Sequence, residues 1–437
     1  MKMDDKIAQV TRQLEKKIIE RRRDFHQFAE VGWTEFRTAS IVASELERFG
    51  YQVFVGDDVI EESQMMGVPN TDELSVHMTR AIAQGGNADW ISKMKGGKTG
   101  VVGILEFAKP GPTVALRFDL DANDITETES SEHKPHREQF ASVNHGAMHA
   151  CAHDGHCAIG LGVAEILSQL RDDLSGKVKL IFQPAEEGVR GAKAMVAKGI
   201  VDDVDYLIGM HLGVNLRKTG QISCNVSGFL PTSKYDAVFT GTAAHAGMAP
   251  QDGRNALLAA AMASLNLHAI SRHSQGTSRI NVGVMQAGTG RNVIPQNALI
   301  KFETRGQTTE INQFMTEEAR RIINCAASMY GVTVTIQEMG ESIGGESSFK
   351  LANDFVEIVK RLGNFDDIIL ESNLGGSDDC SYFMKRVQEN GGQAAYLLVG
   401  AELAAGHHNS LFDFDEAALP KAVQLLSVGV AELLAQH

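Results

Sequence analysis

"HDGHCAIGLGVAEILSQLRDDLSGKVKLIFQPAEEG", residues 153–188, spells a helix followed by a strand. Ile159, Val163, Ile166 and Leu170 recur at the spacing of one helix face, with Asp154 expected as the N-cap. Val178, Leu180 and Phe182 then alternate as in a strand, and Pro184 stops it. Working outward, "TVALRFDLDA" (113–122) alternates too, placing Val114, Leu116 and Phe118 on one face. "VDYLIGMHLG" (204–213) reads as a buried strand carrying His211 at its end, and "QAAYLLVG" (393–400) as another, followed by "AELAAGHHNS". Strands alternating with helices predict an α/β fold with a largely parallel, doubly wound sheet.

The middle of the chain breaks that rhythm. From Lys234 to Met339 the order is strand ("KYDAVFTG"), helix ("NALLAAAMASLNLHAI"), strand ("RINVGVMQAG"), strand ("ALIKFETRG"), helix ("EINQFMTEEARRIINCAASMYG"), strand ("VTVTIQEM"). This βαββαβ order is that of a ferredoxin-like α+β unit. The expected organisation is therefore one α/β domain built from residues 1–228 and 341–437, interrupted by an inserted domain at 229–340. Residues 56–97 have no clear period and read as an irregular helical excursion.

A chain of 437 residues exceeds what one core usually supports, which agrees with two domains. A net charge of −14 argues against nucleic acid or an anionic membrane as partner, and an anionic substrate would need local positive charge in its site. No apolar run reaches membrane-spanning length, and the charged start of the chain reads as an amphipathic surface helix rather than a signal peptide. Five scattered cysteines (Cys151, Cys157, Cys224, Cys325, Cys380) suit a reducing cytoplasm and make a disulfide framework unexpected.

Open parallel sheets bind ligands beyond the carboxyl ends of their strands. Four groups of metal donors fall there: Cys151 with His153, Glu186 with Glu187, His211, and His407 with His408. Taken singly, each has an ordinary reading. A strand-end histidine is usually a satisfied polar group, Cys151 a small buried hydrophobe, and Glu186–Glu187 a helix-start charge pair. Together they point to a metal site, since adjacent buried carboxylates repel unless a cation or proton intervenes.

"HACAHDGH" (149–156), "FQPAEEG", His211, "GTAAHAGMAP" (241–250), "GRNVIP" (290–295), "GGSDD" (375–379) and "GHHNSLFDF" (406–414) together resemble the successive motifs of the M20 metallopeptidase/amidohydrolase family. The resemblance covers nearly the whole chain. It implies a zinc-peptidase-like catalytic domain with an inserted lid that pairs copies into a homodimer. It further implies two divalent ions sharing a water, with Mn²⁺ favoured over Zn²⁺. The implied ligands are Cys151, His153, Glu187, His211 and His408; His408 is preferred to His407 because it stands in a His-x-x-x-Phe spacing with Phe412. Glu186 matches the general base. His245 would steady an oxyanion in a partner's site, and Arg291 and Asn292 would hold the substrate carboxylate and carbonyl. Asp119, Asp121, Asp154 and Asp379 are candidates to orient imidazoles from behind. The family usually has glycine between the ligating Cys and His; here Ala152 stands there, strained if the position requires positive φ.

The implied reaction is hydrolysis of an N-acyl amino acid amide, p-aminobenzoyl-glutamate first, with N-acetyl or indoleacetyl conjugates as the alternative. A homologous B subunit is an expected partner. A non-catalytic subunit is the competing reading, against which stands the presence of Glu186 and all five donors.

Overall fold

The computed structural model describes residues 2–435. The chain's alternating rhythm produces an eight-stranded sheet. Its centre is four neighbouring parallel strands, in the spatial order β2 (Ser175–Gln183), β1 (Lys109–Asp119), β3 (Tyr206–Leu212) and β8 (Gln393–Val399). The flanks are antiparallel: Val101–Glu106 runs against β2, and Gln221–Ser223 against β8. Pro184 does end β2, because it has no N–H for the ladder.

On β1, Val114, Leu116 and Phe118 share one face as expected, yet the strand is not half-exposed. Ala115 and Arg117 on the other face are also fully buried. Helices cover both faces of a doubly wound sheet, so alternation in sequence does not mean alternation in exposure here. Helix α2 (His153–Gln169) lies so close to the sheet that a Cβ on Gly160 would come within 2.7 Å of the Phe118 and Phe182 rings.

The expected N-cap role of Asp154 is not what forms. Ala152 occupies the N-cap, with no side-chain cap, and Asp154 lies in the first turn. Its Oδ1 accepts from the Gly155 N–H at 2.8 Å. Its Oδ2 is engaged from the N-terminal helix α1 (Met3–Gln27) by Arg22 Nε and His26 Nδ1, each at 2.8 Å. Two cationic partners distant in sequence outcompete a local cap. Arg22 also reaches Asp413 at 2.7 Å, and His26 Nε2 contacts Glu127 at 3.0 Å. Helix α1 thus fixes the start of α2 from behind and is more than a surface element.

The middle segment forms a separate sheet from β4 (Thr232–Thr240), β5 (Ser278–Ala287), β6 (Asn297–Gly306) and β7 (Thr333–Ser342). All its pairings are antiparallel, in the order β7–β4–β6–β5. Helices α3 (Ala256–His268) and α4 (Thr309–Tyr330) pack on one face, around a core that includes Tyr235, Phe239, Ala259 and Ile323. The irregular excursion contains short 3₁₀ turns, a one-turn helix Ala88–Ile91 and a longer helix Thr71–Ala83 with an Asn70/Glu73 capping box. Among the described residues no helix is long and apolar enough to cross a membrane.

Burial alone would push His26 down, but its hydrogen bonds to Asp154 and Glu127 prevail and hold its pKa up at about 9. A histidine that binds its proton more tightly when folded contributes fully below its ordinary value near 6.5, and the contribution drains away as pH rises through about 9. Urea unfolding of chelated protein is expected to lose on the order of 1–3 kcal/mol across that window. His26→Gln should flatten the slope; a wild-type profile that is level there contradicts the assignment.

Candidate metal centre

The four donor groups lie at or beyond the carboxyl ends of the four central strands. Cys151 and His153 end the loop after β1, Glu186 and Glu187 follow β2, His211 is near the end of β3, and His407 and His408 follow β8. Because these strands are parallel neighbours, their ends meet at one edge, and donors from 151 to 408 converge. Cys151 Sγ is 3.5 Å from His211 Nε2, and Glu187 Oε1 is 3.1 Å from His408 Nε2. Among the described residues five sets of three potential donors have their ligand atoms within 4.8 Å of one another; Glu186 enters two of them, with His153 and Glu187 and with Asp378 and Asp379, and two others are Cys151–His153–His211 and Cys151–Glu187–His408. The thiol belongs to both.

The imidazoles are oriented by backbone carbonyls. His153 Nδ1 contacts the Asp121 carbonyl and His211 Nδ1 the Leu212 carbonyl, both at 2.8 Å. A carbonyl can only accept, so each Nδ1 carries a proton, and in the neutral ring each Nε2 offers a lone pair. Among the described residues the buried His153 Nε2 has no hydrogen-bond partner, and in the neutral ring its uncommitted lone pair suits a cation. His156 differs: Nδ1 faces Asp119 at 2.6 Å and Nε2 accepts from the Leu212 N–H at 3.0 Å, so both nitrogens are used.

Of the two adjacent histidines, His408 faces Cys151 and Glu187. His407 Nε2 accepts from the Val214 N–H at 2.9 Å, and its ring packs on Phe412 with centroids 4.9 Å apart. Phe412 therefore supports His407, and the His-x-x-x-Phe spacing points to His408 for a reason other than contact. His408 itself has φ +62°. So do several neighbours of the donors: Ala152 at +67°, Ala185 at +49°, Val189 at +58° and Val214 at +58°. For non-glycine residues such backbone costs on the order of 1–2 kcal/mol each, so the surrounding packing must hold these turns in place.

The carboxylates behind the donors divide the work differently from expectation. Asp119 contacts His156 and lies 3.7 Å from His153 Nδ1. Asp121 orients His153 through its carbonyl, while its carboxylate accepts the N–H groups of Glu186 and Glu187 at 3.0 and 2.9 Å. Asp154 meets the imidazole of His26, which lies outside the donor set. Among the described residues Asp379 touches no imidazole; it accepts from the Gly191 and Ala192 N–H groups and from Gln183.

Arg117 went unnoticed in the sequence although a charge inside an apolar strand was a signal. Fully buried, it lies 2.7 Å from Asp119 and 3.3 and 3.4 Å from Asp378 and Asp379. Glu186 and Glu187 are pushed apart electrostatically. Burial, then Asp378, Glu187 and Asp379, drive Glu186 well above the usual carboxylate range. Burial also acts upward on Glu187, but His408 and His153 bring it down to about 2.

Cys151, Glu186, Glu187, His211 and His408 line a cleft of about 320 Å³, to which Lys234 and Arg305 of the second sheet also contribute. Neither cation was picked out from sequence, since only the juxtaposition of two sheets brings them here. His245, Arg291 and Asn292 do not line this cleft. They share an exposed loop pair on the second sheet, where the Ala246 N–H donates to the Asn292 carbonyl at 2.9 Å and His245 bridges Val293.

A family model described as peptidase family M20/M25/M40 matches residues 115–428. The indole-3-acetyl-aspartic acid hydrolase of Enterobacter agglomerans is 50% identical over 95% of this chain and 96% of its own. A p-aminobenzoyl-glutamate hydrolase subunit from Escherichia coli (strain K12) is 49% identical, covering 97% of each chain. The crystal structure of an aminobenzoyl-glutamate utilization protein from Klebsiella pneumoniae superposes with a TM-score of 0.83 at 42% identity, covering 97% of each chain.

The Ala152 backbone yields a stability test. Ala152→Gly relieves about 1–2 kcal/mol of left-handed strain but loses a buried methyl, about 0.8 kcal/mol, and adds unfolded-chain freedom of roughly 0.5–1 kcal/mol. The substitution is expected to be neutral within about 0.8 kcal/mol. Ala158→Gly, equally buried but mid-helix in α2, should cost roughly 1.5–2 kcal/mol by the same urea titration. Equal losses at both positions contradict the strain.

Proposed function

This chain belongs to peptidase family M20/M25/M40 and is a metal-dependent hydrolase of amide bonds, and from that premise we propose that it cleaves N-acyl acidic amino acids, p-aminobenzoyl-glutamate first, to the free acid and the amino acid. The observation that carries the reading is the convergence of two donor sets on Cys151 beside Glu186, a carboxylate outside both. The two similar hydrolases are named for different acyl groups but both for an acidic amino acid, aspartate or glutamate. That shared half defines the substrate class better than the acyl half, and indole-3-acetyl-aspartate is the second candidate.

Two divalent ions held by Cys151, His153, Glu187, His211 and His408 would supply Lewis acidity, polarising the scissile carbonyl and acidifying water. Thiolate with imidazole and carboxylate accommodates zinc or manganese, and we favour Mn²⁺. Glu186 takes the proton of the attacking water and returns it to the leaving nitrogen, a role suited to a carboxylate whose buried, anion-rich surroundings raise its proton affinity. Asp121 holds the turn that presents Glu186 and Glu187 on separate tasks. His245, Arg291 and Asn292 act in the cleft of a second copy: His245 steadies the oxyanion, and the other two hold the substrate's α-carboxylate and carbonyl.

Residues 229–340 form the inserted lid and pairing unit, and 1–228 with 341–437 the catalytic domain. Exposed Val284 and Met285 on edge strand β5 and Leu258 and Leu265 on α3 support a homodimer built through that unit. The Escherichia coli relative is named as one subunit of its hydrolase, which supports a homologous B-type partner as well. A thiol that must stay reduced to bind metal suits a cytoplasmic location.

Glu186→Gln is expected to lower kcat on p-aminobenzoyl-glutamate by roughly 10²–10⁴-fold in Mn²⁺-loaded protein, with or without a B-type partner. Full activity of that variant contradicts Glu186 as the base and removes this chain from the chemistry.

A further inference from the structure

We propose that Lys234 recognises the side-chain carboxylate of the amino acid being released, an inference that rests on the reading of this cleft as the site of an N-acyl acidic amino acid hydrolase. The donor wall of the cleft is acidic, with Glu186, Glu187 and Asp378. Among the residues that line the cleft, the lysine and the arginine are Lys234 from β4 and Arg305 from β6, both from the second sheet. On β4 the side chains of Tyr235, Ala237 and Phe239 enter the core, so alternation turns Lys234 to the open face.

The register makes this lysine unusual. Glu303 is its directly opposed partner on β6, and opposite charges so placed ordinarily pair. Here Arg305 takes Glu303 instead, through Nε at 2.9 Å and Nη2 at 3.2 Å. Among the described residues Lys234 has no carboxylate within 4.0 Å. Arg305 thus neutralises the anion that would quench Lys234, leaving its ammonium available in the cleft for a substrate carboxylate. An ammonium on a flexible stem is a point charge that suits a carboxylate at the end of an aspartyl or glutamyl side chain. Arg291 and Asn292 are assigned to the α-carboxylate and the carbonyl, and Lys234 is left for the second carboxylate.

The test compares kcat/KM for p-aminobenzoyl-L-glutamate and p-aminobenzoyl-L-glutamine in Mn²⁺-loaded protein. Calorimetric binding of both compounds to the Glu186→Gln variant is the second readout. The unaltered chain is expected to prefer the glutamyl compound by about tenfold to a hundredfold, as a charge-assisted contact gives. Lys234→Met should bring that ratio close to one, Lys234→Arg should keep it, and Lys234→Gln answers the same question if the methionine variant does not fold. An unchanged ratio in Lys234→Met, or equal loss of both compounds, overturns the assignment and leaves the hydrolase reading standing. An unaltered chain that neither cleaves nor binds either compound overturns that reading and this assignment together.

Discussion

Negative charge crowded at one edge of the sheet is the constraint around which the molecule is arranged. Glu186, Asp378 and Asp379 present carboxylate oxygens within 4.8 Å of one another, and Glu187 lies beside them. In a low-dielectric interior such a group cannot stay fully ionised without compensation. Arg117 supplies part of it from below, gripping Asp119, Asp378 and Asp379 from inside a strand buried on both faces. The donor sets around Cys151 supply the reason for the rest: the imbalance lies where bound cations would cancel it.

Much of the remaining fold serves to keep that edge from relaxing. Non-glycine residues in left-handed backbone cluster next to the donors, a strain tolerated only because the flanking elements are rigid. Helix α1 is recruited from the far end of the sequence to pin Asp154 with Arg22 and His26, which sets where α2 begins and so where His153 points. Carbonyls of Asp121 and Leu212 then fix the imidazole tautomers. The polar groups behind the donors do more to position backbone than to touch imidazoles, because strand-end turns leave N–H groups that need acceptors.

Much of this was legible in the sequence. The strand patterns before Cys151, Glu186 and His211 are strong, so the parallel core and the edge where donors gather follow from period and length. The βαββαβ order of the middle segment was equally plain. What escaped depends on contacts between distant segments. Asp154 looks like a cap until Arg22 and His26 arrive from 132 and 128 residues away. Adjacent His407 and His408 are separated by a positive φ that spacing does not encode. Lys234 and Arg305 become part of the cleft only when the second sheet is set against the first.

The central claim is that Cys151 is the shared vertex of two metal positions. Anomalous diffraction from crystals grown with Mn²⁺, with metal content measured per chain, addresses it most directly. The account predicts two ions per chain, one bounded by Cys151, His153 and His211 and the other by Cys151, Glu187 and His408. A single ion, or ions elsewhere with Cys151 left unligated, would contradict it.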